Sequence, residues 1–145
     1  MVGERGEMGF EYQADTSLHL DIEGKEYSCP VDSPEFIAYW QRNHSWFEDV
    51  SKYQDYTEAQ IRELPQEEVD NVALGTVRLT AELVVALLGA EAAMEIFNGR
   101  ERSLLFCTEL SNYIYTEMDA QGLIGKITKA TRRYSSEKVL DEPDN

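Results

Sequence analysis

From Ser17 the chain alternates strictly, with Leu18, Leu20 and Ile22 on one side and His19 and Asp21 on the other. A period of two is the mark of a half-buried strand. Glu23-Gly24 then offers a tight turn, because glycine accepts the positive φ that a short hairpin requires. Tyr27, Cys29 and Val31 resume the alternation. The pattern predicts a β-hairpin over 17–30. A lone hairpin is marginal in water, so its apolar face must rest on helices or on another copy of the chain.

After Ser33 the period becomes helical. Ser33 suits an N-cap, Pro34 the first turn, and Glu35 the positive end of the helix dipole. Phe36, Ile37, Trp40, Phe47 and Val50 fall on or near one stripe, which predicts a helix over about 34–50. Residues 51–56 read as a connection. Thr57-Glu58-Ala59-Gln60 fits a capping box and opens a short helix at 57–63. Pro65 ends it, since the residue before proline disfavours helix. Pro65 also opens the longest amphipathic pattern, a helix over 65–88 with Val69, Val72, Ala73, Thr76, Val77, Thr80, Leu83, Val84, Leu87 and Leu88 on one face. Gly75 within it marks either a close crossing of helices or a tolerated glycine. Gly89 breaks the pattern, a short helix follows at 90–97, and Asn98-Gly99 end it in the manner of a left-handed cap. Ser103 caps a last helix at 103–120, whose apolar side includes Leu104, Leu105, Thr108, Leu110, Ile114, Tyr115 and Met118.

These elements predict a mainly α fold: a small helical domain with an N-terminal β-hairpin and flexible termini. Residues 1–14 read as a flexible acidic tail and 15–124 as a single domain. Residues 125–145 read as a basic segment, able to add a frayed turn or two, followed by a flexible C-terminal tail. At 145 residues, 42% hydrophobic, the chain is long enough for one packed core.

Charge changes the picture. The net charge is −15, and residues 1–70 hold 17 acidic against 5 basic side chains. Such a surface favours solubility and repels DNA phosphates and anionic lipid. Only Lys126, Lys129, Arg132 and Arg133 form a basic cluster without an acid among them. The longest apolar run, Leu83–Leu88, is far short of a bilayer span.

The sequence carries no constellation for catalysis. His19 and His44 sit in different elements without metal-ligand spacing. Cys29 and Cys107 are too few for a disulfide framework and have no adjoining base to activate them. Acid pairs at 48–49 and 67–70 lie at helix ends, there is no calcium loop, and Gly122-x-x-Gly125-Lys126 falls short of a phosphate-binding loop. The expectation is a non-enzymatic protein with no catalytic residues, no metal and no cofactor. Trp40, Trp46 and Phe47 are a local excess of rings, and Trp46 lies off the stripe of its helix. They are either a core helix with one part-buried ring or a hydrophobic docking surface. Phe97 belongs first to the core of the corner at 87–97, with partner contact as a second use. Arg100 reads as solvating a helix end and pairing with Glu95 or Glu101. These five, Trp40, Trp46, Phe47, Phe97 and Arg100, are the candidate partner-binding residues.

The block from Leu88-Gly89 through Ala92-Ala93 and Ile96-Phe97-Asn98-Gly99-Arg100 to Ser103-Leu104, with the upstream extended pair and Ser33-Pro34-Glu35-Phe36-Ile37, resembles the tail-assembly chaperones of long-tailed (siphovirus-like) bacteriophages. The resemblance covers about residues 17–120. It implies a protein that binds and solubilises the phage tape-measure protein in the host bacterial cytoplasm before the tail tube polymerises, and that is absent from the mature virion. It also implies weak self-association, and contact with the tail-tube protein through a longer form made by ribosomal frameshifting, for which Gly125-Lys126 is one candidate junction. Neither DNA nor a membrane is an implied partner. Two rivals are an acidic phage-encoded adaptor or inhibitor of a host protein that imitates DNA, and a structural tail-completion protein.

Overall fold

The computed structural model describes residues 15–141, with side chains described as far as Tyr134. The tail expected at 1–14 and the last residues, 142–145, lie outside the described residues. The protein is a mainly α domain carrying one antiparallel hairpin, as the hydrophobic pattern predicts.

Strands β1 (Ser17–Ile22) and β2 (Lys25–Pro30) pair from Ser17 opposite Pro30 to Ile22 opposite Lys25. Glu23 and Gly24 both take positive φ, 53° and 89°, the requirement of a two-residue turn that matches strand twist. Leu18, Leu20 and Ile22 are buried, so the strict alternation does place one face of β1 in the core. The outer edge of β1 is satisfied by side chains of the last long helix of the predicted set. His19 N–H donates to Gln121 Oε1 (2.9 Å), Gln121 Nε2 donates back to His19 O (2.7 Å), and Asp21 N–H donates to the Tyr113 hydroxyl (2.8 Å). An edge that would otherwise invite another strand is thereby closed.

Helix α1 (Pro34–Val50) starts at the Ser33 cap, whose hydroxyl accepts from Phe36 N–H at 3.2 Å. A 3₁₀ turn, Ser51–Asp55, continues it where a plain connection is expected. Helix α2 (Glu58–Arg62) has the capping box written in its sequence: Gln60 N–H donates to Thr57 Oγ1 at 3.1 Å, and Thr57 N–H to Gln60 Oε1 at 2.8 Å. Helix α3 (Gln66–Leu88) is the central rod and contacts α1, the short helix α4 (Ala90–Phe97) and α5 (Leu104–Ala120). Among the described residues α3 alone is long and apolar enough to cross a membrane by length and composition, but its stripe Leu79, Leu83, Val84 and Leu87 is buried inside the domain.

Gly75 proves to be the close crossing. A Cβ at this position would overlap the indole ring of Trp46 on α1. Trp46 is half-buried, the part-buried ring that one of the two readings allows, because α3 offers it a bare backbone to lie against.

The segment from Gly125 onward departs from expectation. In place of a frayed turn or two and then a tail, it forms a further helix, α6 (Ile124–Asp141), which contacts α1. Leu123 and Ile127 are buried in the core at 2% and 0% exposure, while Lys126, Lys129, Arg132 and Arg133 face solvent. Leu123, just before the helix, and Ile127 within it anchor α6, with Ile124 packed beside them.

Candidate partner-binding cleft

Past the Trp46–Gly75 crossing, α3 extends beyond the elements able to cover it. Its first turns carry Val69, Val72, Ala73 and Thr76 toward α5, where Leu104, Thr108, Ser111 and Asn112 face them. On the third side stand Phe47 and Val50 from the end of α1, Tyr53 from the 3₁₀ turn, and Ile61 and Leu64 from the α2 region. The space among them is a cleft of about 340 Å³ whose lining contains no charged side chain. Clefts of this size with mostly apolar walls are where partners and ligands commonly seat.

The covering segment is lightly held. Neither the 3₁₀ turn nor α2 has a buried residue. Its tie to α3 is a hydrogen bond from the Tyr53 hydroxyl to Glu68, and Tyr53 packs edge-on to Tyr56 with centroids 5.1 Å apart. Ile61 and Leu104, at 36% and 45% exposure, leave apolar surface at the mouth.

The five candidate residues are not brought together. Phe47 lines the cleft and packs on Tyr115 at 5.0 Å between centroids. Trp46 meets Phe47 edge-on at 5.1 Å but spends its ring on Gly75. Trp40 is buried, stacked at 5.2 Å on His44, whose Nδ1 sits 2.8 Å from the Trp40 carbonyl. Phe97 is 2% exposed in the core.

Arg100 is committed within the fold, and to a different acid from those expected. Its Nη1 and Nη2 fork onto the two oxygens of Glu23 at 2.9 and 2.8 Å. Nε and Nη2 also donate to the carbonyls of Phe97 and Ile96, and the guanidinium lies 3.9 Å from the centre of the Phe106 ring. It therefore caps the C-terminus of α4, where a cation is favoured, and ties that end to the hairpin turn. Glu95 is taken by Lys25 and by the Tyr27 hydroxyl. The hydrogen bond from Arg100 holds the Glu23 carboxyl below its ordinary value, and that from Lys25 does the same for Glu95.

The residues that line the cleft were hidden for a simple reason. Val69, Val72, Ala73 and Thr76 continue the apolar stripe of a core helix, and nothing in a stripe marks the turn at which its cover ends. The available signal is the Pro65 break, which makes α2 too short to shield the first turns of α3.

The described cysteines and the Tyr39 and Tyr115 phenols are all shifted the same way. Burial pushes the Cys29 thiol up to about 11 and also raises that of Cys107, which favours the protonated thiol at both. Burial likewise raises the Tyr39 and Tyr115 phenols, and Tyr39 donates to the Leu79 carbonyl at 3.3 Å. Among the described residues no group of three or more His, Cys, Asp or Glu is placed to hold a metal ion. No protein-family model, no curated protein and no solved structure matches the chain.

Proposed function

We propose that the protein is a non-enzymatic assembly chaperone of the phage tail-assembly class, which coats the tape-measure protein in the host bacterial cytoplasm until tail-tube subunits replace it. The apolar cleft between α3, α5 and the 51–64 segment carries this reading. A long chain with apolar helical stripes self-associates unless covered. A cover needs small subunits with an uncharged groove inward and charge outward, and the cleft on a chain of net charge −15 is of that form. The coat must also come off. Such a cleft on each subunit, repeated along the partner, gives strong coverage from individually weak contacts.

A longer frameshifted form, which would recruit the tail-tube protein, has to respect the core. A junction at Gly125-Lys126 would hand position 127 to the new reading frame, and Ile127 is fully buried. A junction beyond the docked part of α6 keeps the domain intact in both forms.

Co-expression with the tape-measure protein of the same genome tests the proposal. The wild-type chain is expected to raise its soluble fraction, and Leu104→Asp, at an exposed position of the cleft wall, to raise it less. A tape-measure protein equally insoluble with and without this chain overturns the reading. Recovery of the chain from purified virions would instead make it a structural tail component.

A further inference from the structure

The cleft has an uncharged lining, and the segment that builds one of its walls is strongly acidic. Residues 48–70, which build one wall and its surroundings, hold eight acidic side chains and two basic ones. Of the two bases, Arg62 is paired with Glu58 at 2.7 Å, and Lys52 lies over the Tyr53 ring at 5.1 Å. Of the acids, Glu48, Asp49, Asp55, Glu63 and Glu67 are exposed. We infer that the cleft takes the apolar edge of an amphipathic α-helix whose flanking positions are lysine or arginine. A helix lays anchors at i, i+3 or i+4, and i+7 into a groove of this kind. The lining must be met by apolar side chains, because a charge placed on it would lose its water without a partner. The flanks must reach the acidic segment, and Lys and Arg can rest their aliphatic stems on the apolar mouth while their heads meet the carboxylates.

The inference rests on reading the cleft as the docking site and adds the chemistry of the partner. The chain's own residues 1–14 have the wrong sign, with three Glu and one Arg. The basic residues of α6 on a second copy have the right sign, but the apolar anchor among them, Ile127, is already used in its own core.

The probe is a pair of synthetic helical peptides of about 18 residues, with identical Leu anchors at groove-binding spacing and either Lys or Glu on the flanks. They are titrated into the full chain, followed by methyl NMR and calorimetry. The Lys peptide is expected to shift Ile61, Leu64, Val69, Val72 and Leu104, to bind at least about tenfold more tightly than the Glu peptide, and to lose that advantage as salt shortens the screening length. The variant Glu63→Lys with Glu67→Lys, at two exposed positions, should erase the preference and keep the fold. Equal binding of the two peptides, shifts confined to other surfaces, or a dimer that covers the cleft before peptide is added would each overturn the inference. Equal binding with the tape-measure protein still solubilised removes the charge preference and leaves the chaperone reading standing. A Lys preference with an insoluble tape-measure protein does the reverse.

Discussion

Two regions of this domain use apolar residues in opposite ways. At the hairpin corner, Ile96, Phe97, Leu18, Leu20 and Ile22 are all buried, and polar groups lock the corner from outside. Arg100 forks onto Glu23, Lys25 and Tyr27 hold Glu95, and the Phe97 and Phe106 rings meet at 5.7 Å. At the cleft, α3 carries a similar stripe, but its cover is a 3₁₀ turn and a short helix without a buried residue. The chain completes its core in one region and leaves it open in the other. Surface that a fold leaves apolar beside a packed core is surface available to a partner.

Truncation should separate the two regions most sharply. Phe97→Ala removes a buried ring from the closed corner and is expected to cost about 3–5 kcal/mol. Leu104→Ala at the cleft wall, already 45% exposed, should cost less than about 1 kcal/mol. Chemical denaturation of both variants checks the contrast. Similar losses would mean that the cleft wall is core after all.

The Trp46–Gly75 crossing beside the cleft offers the next largest effect. Gly75→Ala forces a methyl group into the indole and should destabilise by about 1–3 kcal/mol, after allowing for the better helix propensity of alanine. Trp46→Leu in the same chain should recover part of the loss, because it removes the overlapping atoms. A double-mutant cycle by thermal denaturation measures the recovery, and strict additivity would show that the indole moves aside freely.

This crossing also marks how far the sequence could be read. Hairpin, capping box, helix order and both glycine breaks follow from local chemistry: alternation, caps and positive φ are properties of adjacent residues. The glycine at 75 was ambiguous because its partner is on another helix, so only packing decides between close approach and tolerance. Arg100 was misplaced for the same reason, since Glu23 lies far from it in the chain. The docking of α6 escapes a reading by composition because a few apolar residues, Leu123, Ile124 and Ile127, sit among a row of charges. Of the candidate site, Phe47 alone was legible: aromatic residues attract attention, whereas a cleft made of Val, Ala, Thr and Leu looks like any core.

Acid should loosen the closed corner. Glu23 and Glu95 have carboxyls held below their ordinary value of 4.5 by Arg100 and Lys25. Groups depressed in this way bind protons more readily in the unfolded chain, so their contribution is present above about pH 4.5 and is lost as pH falls through their folded values. The melting temperature of the wild type should therefore fall more steeply below pH 4.5 than that of Glu23→Gln or Glu95→Gln. Parallel curves would mean that these exposed pairs contribute nothing measurable, as many surface pairs do not.

The smallest expected effect is the one most specific to the open region. Tyr53→Phe removes the hydroxyl that reaches Glu68, a change worth about 0.5–1.5 kcal/mol at a half-exposed position. Its consequence should be local, because the 51–64 segment adds no buried residue to the core. Amide hydrogen exchange is expected to quicken across α2 in this variant, while Leu83, Val84 and Leu87 in α3 keep their protection. Such a split places α2 in a separate, low-stability unit above the cleft, able to give way to an incoming helix without opening the core. If exchange quickened equally in α2 and in the middle of α3, the segment would instead belong to the cooperative core, and its displacement by a partner would cost as much as unfolding the domain.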